Sequence, residues 1–219
     1  MITLRVFIAI VILAVFASGA SKPHVMSLGK PMSVKLLLGP AEEKTLTINV
    51  RPLYLDAKLK EFTSGPTHDV TDRLFVVRRA YRVNDSLPGE PATQPRWLWQ
   101  RGGWLLVDRT TGRITQIKLP DFDPTYSDVS WYRDYAAYCG LADDGDRVSA
   151  VVAQISVRKA LYKKPLEKLG GELPESICEA PLWQRQPARV TFTPHGGEKQ
   201  TVEVNGRFAD LTPDTPGEE

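Results

Sequence analysis

Past its first twenty residues the chain shows almost no helical periodicity. What recurs is a short run of β-branched and aromatic residues, a reversal built from Gly, Asp, Asn or Pro, and then another such run. A helix needs apolar positions three and four apart, whereas a half-buried strand needs simple alternation, so this rhythm restricts the chain to extended segments laid side by side. The expectation is an all-β domain: an antiparallel meander of about ten strands forming a sandwich, a barrel or a partial propeller-like domain.

The segments are explicit. Val34 to Leu38 turns at Gly39-Pro40-Ala41-Glu42-Glu43 into Thr45 to Val50, where Leu46, Ile48 and Val50 alternate with Thr45, Thr47 and Asn49. Leu53 to Leu55 and Leu59 to Phe62 form a second hairpin around Asp56-Ala57-Lys58, and Thr63 to Asp72 reads as a polar loop. Arg73 to Val83 is the longest strand candidate. Phe75, Val77, Tyr81 and Val83 lie on one face and Leu74, Val76 and Ala80 on the other, and a strand apolar on both sides belongs inside its sheet. Asn84 to Pro95 reads as a surface loop. Arg96 to Gln100 then turns at Arg101-Gly102-Gly103 into Trp104 to Asp108, and Thr110-Thr111-Gly112 leads into Arg113 to Leu119. Val129 to Tyr132 turns at Arg133-Asp134 into Tyr135 to Leu141, and Asp143 to Asp146 leads into Val148 to Val157. Residues 165–187 read as an irregular connection with at most a helical turn at Leu166 to Leu169, before a last hairpin, Arg189 to Thr193 and Glu198 to Val204.

Leu106-Val107-Asp108-Arg109-Thr110-Thr111-Gly112, Val129-Ser130-Trp131-Tyr132-Arg133-Asp134 and Asp143-Asp144-Gly145 together resemble the blade rhythm of β-propellers over about residues 104–157. Arg133-Asp134 stands where such blades carry Pro-Asp-Gly, and the unit has no second copy at fixed spacing. A closed propeller takes at least about four blades, so the resemblance implies an antiparallel meander. The chain is also similar to exported bacterial proteins, which implies a compartment and no activity.

The N-terminus supports that compartment. Arg5 precedes an uncharged apolar run from Val6 to Ala17 and the small residues Ser18-Gly19-Ala20, the pattern of a secretory leader. The run is shorter than the roughly 20 residues a spanning helix needs. The expected organisation is a leader at 1–20, one domain at 21–208 and an acidic, disordered tail at 209–219, with no transmembrane span in the mature chain. Residues 21–208 carry 27 basic and 22 acidic side chains, too small an excess for a nucleic-acid partner. In an oxidising compartment Cys139 and Cys178 are expected to pair as a disulfide, the alternative being two separate buried thiols.

Chemistry is sparse. His24, His68 and His195 are too far apart in sequence for a local zinc motif, and no serine sits in a Gly-x-Ser-x-Gly elbow. No cofactor or metal is implied. Asp121-Phe122-Asp123 and Asp143-Asp144-Gly145-Asp146 offer hard oxygens for calcium, but Asp-Gly is above all a turn signal. Arg158, Lys159, Lys163, Lys164 and Lys168 follow the last long strand, where cations keep strand edges from pairing with other chains. The aromatics carry the most information. Trp97 and Trp99 project from one face of a strand and Trp104 returns beside them, with Trp131, Tyr132, Tyr135 and Tyr138 further on. Such residues either fill a core or form a platform that stacks on sugar rings or grips a partner. The leading expectation is an exported, non-catalytic binding or interaction module at the cell envelope, for a glycan or an envelope protein, through Trp97, Trp99 and Trp104. The alternatives are an exported hydrolase using His68, Asp69 and Asp72, and a structural envelope protein.

Overall fold

Where the sequence alternates, the backbone is extended and paired. The computed structural model describes residues 24–37, 45–87, 89, 96–142, 145, 147–168 and 177–206, and among these the regular structure is strand throughout. The expected leader and the acidic tail lie outside the described residues, as do Asp143, Asp144 and Asp146. Among the described residues no helix is long and apolar enough to cross a membrane.

The first sheet contains β1 (Met26–Leu28), β2 (Met32–Leu37), β3 (Thr45–Leu55), β4 (Lys58–Asp69), β5 (Leu74–Asn84), β6 (Trp97–Asp108) and β7 (Ile114–Ile117). Its order is β1-β3-β2-β6-β5-β4, with β7 on β6. A further β3–β4 pairing and one parallel rung between β2 and β6, Leu36 opposite Trp99, curl the sheet round on itself. The second sheet, β11-β10-β9-β8, is an antiparallel meander of β8 (Ser130–Tyr132), β9 (Tyr135–Leu141), β10 (Arg147–Gln154) and β11 (Tyr162–Lys168). The third contains β12 (Cys178–Gln184), β13 (Arg189–Pro194) and β14 (Gln200–Glu203).

The second sheet is the middle layer. One face packs Ala137, Cys139, Val148, Ala150 and Val152 against Ile177, Val190 and Phe192 of the third-sheet side. The other presents Ala136, Tyr138, Val151 and Ala153 to Leu119, Phe122, Val129 and Trp131, the same four residues that cover Val76, Trp104 and Ile117 of the first sheet. Every residue of β9 is therefore buried, and its alanines let layers approach on both sides. The disulfide Cys139–Cys178 joins the middle and third sheets, with Cα atoms 6.1 Å apart.

Local chemistry explains most of the elements. β5 runs between β4 and β6, as its two apolar faces require. Asp56 and Ala57 both have positive φ, so a two-residue turn closes β3 on β4, tighter than the three residues expected. The Asp108-to-Gly112 turn also forms: Asp108 Oδ1 accepts the Thr110 and Thr111 amides at 2.8 and 3.1 Å, and Arg73 clamps its carboxylate. The Arg73 hydrogen bond, then those amides, hold Asp108 well below the usual carboxylate range. Gly112 has φ +67°, the left-handed region that favours glycine, and a Cβ there would lie 2.7 Å from the Leu55 side chain, so any other residue is strained.

Three expectations are corrected. Thr63 to Asp69 is not a loop but the second half of β4, because Thr63 and Ser64 pair with Arg79 and Arg78 and the polar Gly65–Thr67 stretch is a bulge. Arg101-Gly102-Gly103 is not a turn: β6 runs through it, and the two glycines bulge opposite Arg79, whose Cβ would lie 3.0 Å from a Cβ at Gly102. Residues 165–187 are not an irregular connection, nor is Leu166 helical. Tyr162–Lys168 and Cys178–Gln184 are edge strands, where Pro165 and Pro181 need no ladder hydrogen bond. Lys163, Lys164 and Lys168 thus decorate an edge, the position where charge blocks edge-to-edge association. The strand count rises accordingly to fourteen among the described residues.

Tyr138 sits at the centre of this stack, fully buried, with its hydroxyl donating to the Pro120 carbonyl at 2.5 Å. Burial, reinforced by the Asp121 charge, holds that hydroxyl protonated far above the usual tyrosine range. In the unfolded chain it ionises near pH 10. Its contribution is therefore complete below about pH 10 and is lost above it, at up to about 1.4 kcal/mol per pH unit. Tyr138→Phe is expected to cost about 1 kcal/mol at neutral pH and to shallow the alkaline decline, with the part due to Tyr135, whose hydroxyl is also raised by burial, remaining. Urea unfolding at pH 7, 10 and 11 measures both, and parallel declines in the two proteins would exclude Tyr138 as the source.

Candidate functional site

Trp97, Trp99 and Trp104 lie on one strand, not on two. The Gly102-Gly103 bulge shifts the alternation, so all three still share a face. They are not exposed together. Trp97 is 53% exposed, Trp99 is half-buried edge-on against Phe62 at 5.1 Å, and Trp104 is 7% exposed, with its ring 5.2 Å from that of Trp131. The Arg82 guanidinium lies 5.7 and 5.4 Å from the Trp97 and Trp99 rings.

His68 and Asp69 are consecutive on β4, opposite Val76 and Phe75, and so point to opposite faces. His68 Nε2 donates to the Arg133 carbonyl at 2.8 Å and its ring stacks on Trp131 at 6.1 Å. Asp69 pairs with Arg109 at 2.6 Å, and Arg109 also donates to the Asp72 carbonyl at 3.3 Å. The structure does not bring His68, Asp69 and Asp72 into one cluster. His24 pairs with Asp56 at 2.8 Å, and His195 is exposed in the β13–β14 turn. Among the described residues no three metal-ligating side chains gather as a site. Asp123 receives the Thr125 and Tyr126 amides at 2.6 and 3.1 Å, and Asp121 pairs with Lys163 at 2.5 Å.

A different constellation forms where all three sheets meet at one end. The β8–β9 reversal carries Tyr132, Arg133 and Tyr135; the β12–β13 reversal carries Trp183 and Arg185; the end of β4 carries Asp69. These residues line a cleft of about 630 Å³. The Tyr132 and Trp183 rings lie 5.4 Å apart at 37°, and Tyr135 and Trp183 lie 6.5 Å apart. Trp183 Nε1 donates to the Ser130 carbonyl at 3.0 Å, which fixes the indole plane. Arg133 turns the hairpin with φ 53° and holds its guanidinium 5.7 Å from the Tyr132 ring. Burial, then the Asp134 charge, raises the Tyr135 hydroxyl above the ordinary tyrosine value, so it stays a neutral donor.

Tyr132 and Tyr135 are within reach of sequence reasoning, as part of an aromatic cluster. Trp183 is not, because its segment reads as a connection. The usable signal is Pro181 and Trp183 two apart just before Arg185-Gln186-Pro187, a strand running into a turn. Chemically, flat aromatic faces beside guanidinium forks and a carboxylate suit a ligand that is both ring-shaped and rich in hydroxyls or acids. No family model matches the chain, and no curated protein or solved structure is significantly similar to it.

Proposed function

We propose that the chain is an exported, non-catalytic glycan-binding module of the cell envelope, and that its ligand surface is the cleft of Tyr132, Tyr135 and Trp183 flanked by Arg133, Arg185 and Asp69. One observation carries the reading: the half-buried Tyr132 and Trp183 rings, the latter locked by its own N–H and backed by the buried Tyr135, share a concave site with two guanidiniums and a carboxylate. Pyranose rings stack on such faces through their C–H groups while their hydroxyls and acidic substituents take the polar rim. The leader-like N-terminus and the Cys139–Cys178 bridge support export, since such bridges persist in oxidising compartments. The four-strand antiparallel order of β8–β11 supports the likeness to a single propeller blade, serving as a middle layer.

Titration of the purified protein with neutral and acidic oligosaccharides, followed by tryptophan fluorescence and calorimetry, tests the reading. At least one acidic oligosaccharide is expected to bind saturably, with Tyr132→Ala and Arg185→Ala each weakening it about tenfold, the order of a lost charge-assisted hydrogen bond or stacking contact. Binding unaffected by either substitution, or no saturable binding across the panel, overturns the assignment.

A further inference from the structure

A second cavity, of about 470 Å³, lies against the first sheet beneath the 124–129 segment, and shares no lining residue with the aromatic cleft. The residues that matter in its wall are Ile48, Ser64, Arg78, Arg101, Trp104 and Val129. Their convergence follows from register. Ser64 pairs with Arg78 and Arg78 with Trp104, which aligns the three side chains across β4, β5 and β6. Arg101 sits opposite Ala80, one rung further along the same face.

Arg78 is only 8% exposed, an unusual place for a cation. Nη1 donates to Asp128 at 3.0 Å, and Nη2 to the Pro124 and Ser127 carbonyls at 2.6 and 3.2 Å. Those bonds pin the 124–128 segment across the cavity, yet they leave Arg78 Nε without an acceptor, and Trp104 Nε1 in the same wall has none either. Both atoms are sealed within the wall and not open to the cavity, and the charged groups lining it are the guanidiniums of Arg78 and Arg101 and the Asp128 carboxylate. The charge is also incomplete. The lining carries Arg78 and Arg101 against Asp128, itself half solvated, with Asp123 acting on Arg78 from outside the lining. Burial, then repulsion from Arg101, pulls the Arg78 guanidinium below its usual value, and the two aspartates only partly oppose this. A buried cation facing a second one is costly unless an anion completes the set.

We propose that this cavity is a binding site for a small organic acid, with its oxyanion held by Arg78 and Arg101, and its apolar body against Ile48, Trp104 and Val129. A guanidinium fork matches a carboxylate in shape as well as charge. The Ser64 hydroxyl, on the same rung as Arg78, offers a further donor.

Benzoate, benzamide, inorganic sulfate and sodium chloride at matched ionic strength separate the contributions of head, body and salt. Benzoate is expected to raise the melting temperature saturably and to bind in calorimetry, sulfate to do so more weakly, and benzamide and sodium chloride not at all. Arg101→Gln, at a half-buried position that does not hold the 124–128 segment, is expected to fold normally by circular dichroism and to bind benzoate at least about tenfold more weakly. Tyr132→Ala, which alters only the aromatic cleft, is expected to leave benzoate binding intact, so failure of one site is distinguishable from failure of the other. Equal responses to benzoate and benzamide, or undiminished benzoate binding by folded Arg101→Gln, would overturn the proposal.

Discussion

Cys139→Ala/Cys178→Ala is expected to lower the unfolding free energy by about 3–4 kcal/mol in the chain-entropy picture, and the melting temperature by roughly 10 °C. The bridge spans 39 residues of sequence separation, a loop long enough that closing it removes substantial freedom from the unfolded chain. It also joins two layers that share no strand pairing, since β9 and β12 belong to different sheets. Chemical denaturation of oxidised, reduced and double-alanine proteins measures the effect. Reduced and double-alanine forms should fall together. A loss under about 1 kcal/mol in both would mean the loop is already constrained in the unfolded state.

Phe192→Ala should cost about as much by a different route, about 3–5 kcal/mol. Phe192 is fully buried on the inner face of β13, in one cluster with Cys139, Val148, Val152 and Cys178. Removing its ring leaves a cavity between two sheets, and a layer held by strands on either side relaxes only partly into the space. Urea midpoints at unchanged denaturant dependence give the number. A cost below about 1 kcal/mol would mean that the middle and third sheets are not packed as described. Because Phe192 touches the same cluster as the bridge, the triple substitution should depart from additivity by about 0.5–3 kcal/mol, whereas Phe192→Ala combined with Tyr138→Phe, on the opposite face of the middle sheet, should add more nearly.

The aromatic cleft and the guanidinium cavity place different demands on the same architecture. The cleft is built at strand ends, with Tyr132, Tyr135, Trp183 and Asp69 on the last paired residues of their strands or next to them and Arg133 and Arg185 in the reversals beyond. The cavity is built from three adjacent strands, and its geometry depends on two bulges: Gly65–Thr67 in β4 and Gly102-Gly103 in β6. Without the second bulge Trp104 would face away from Trp97 and Trp99, and Arg101 and Trp104 would part company.

Sequence alone determined the fold class, the central place of β5, the presence of reversals around Asp56-Ala57-Lys58 and at Arg133-Asp134 and the final hairpin, because each depends on neighbours within a few residues. It also pointed to Cys139 with Cys178, through compartment rather than geometry, and the 6.1 Å Cα separation came only from the folded chain. Only tertiary structure decided whether Gly102-Gly103 turned or bulged, since two glycines serve either purpose and the partner strand chooses. Pro165 and Pro181 argue for a connection until pairing places them on edges. Trp104, Trp97 and Trp183 are alike as residues; which of them is buried, exposed or poised over a cleft depends on segments distant in the chain, such as Trp131 over Trp104 and Tyr132 beside Trp183. Alternation sets which side of a strand a residue takes, but what waits on that side is set by layers packing together, and no local rule contains that information.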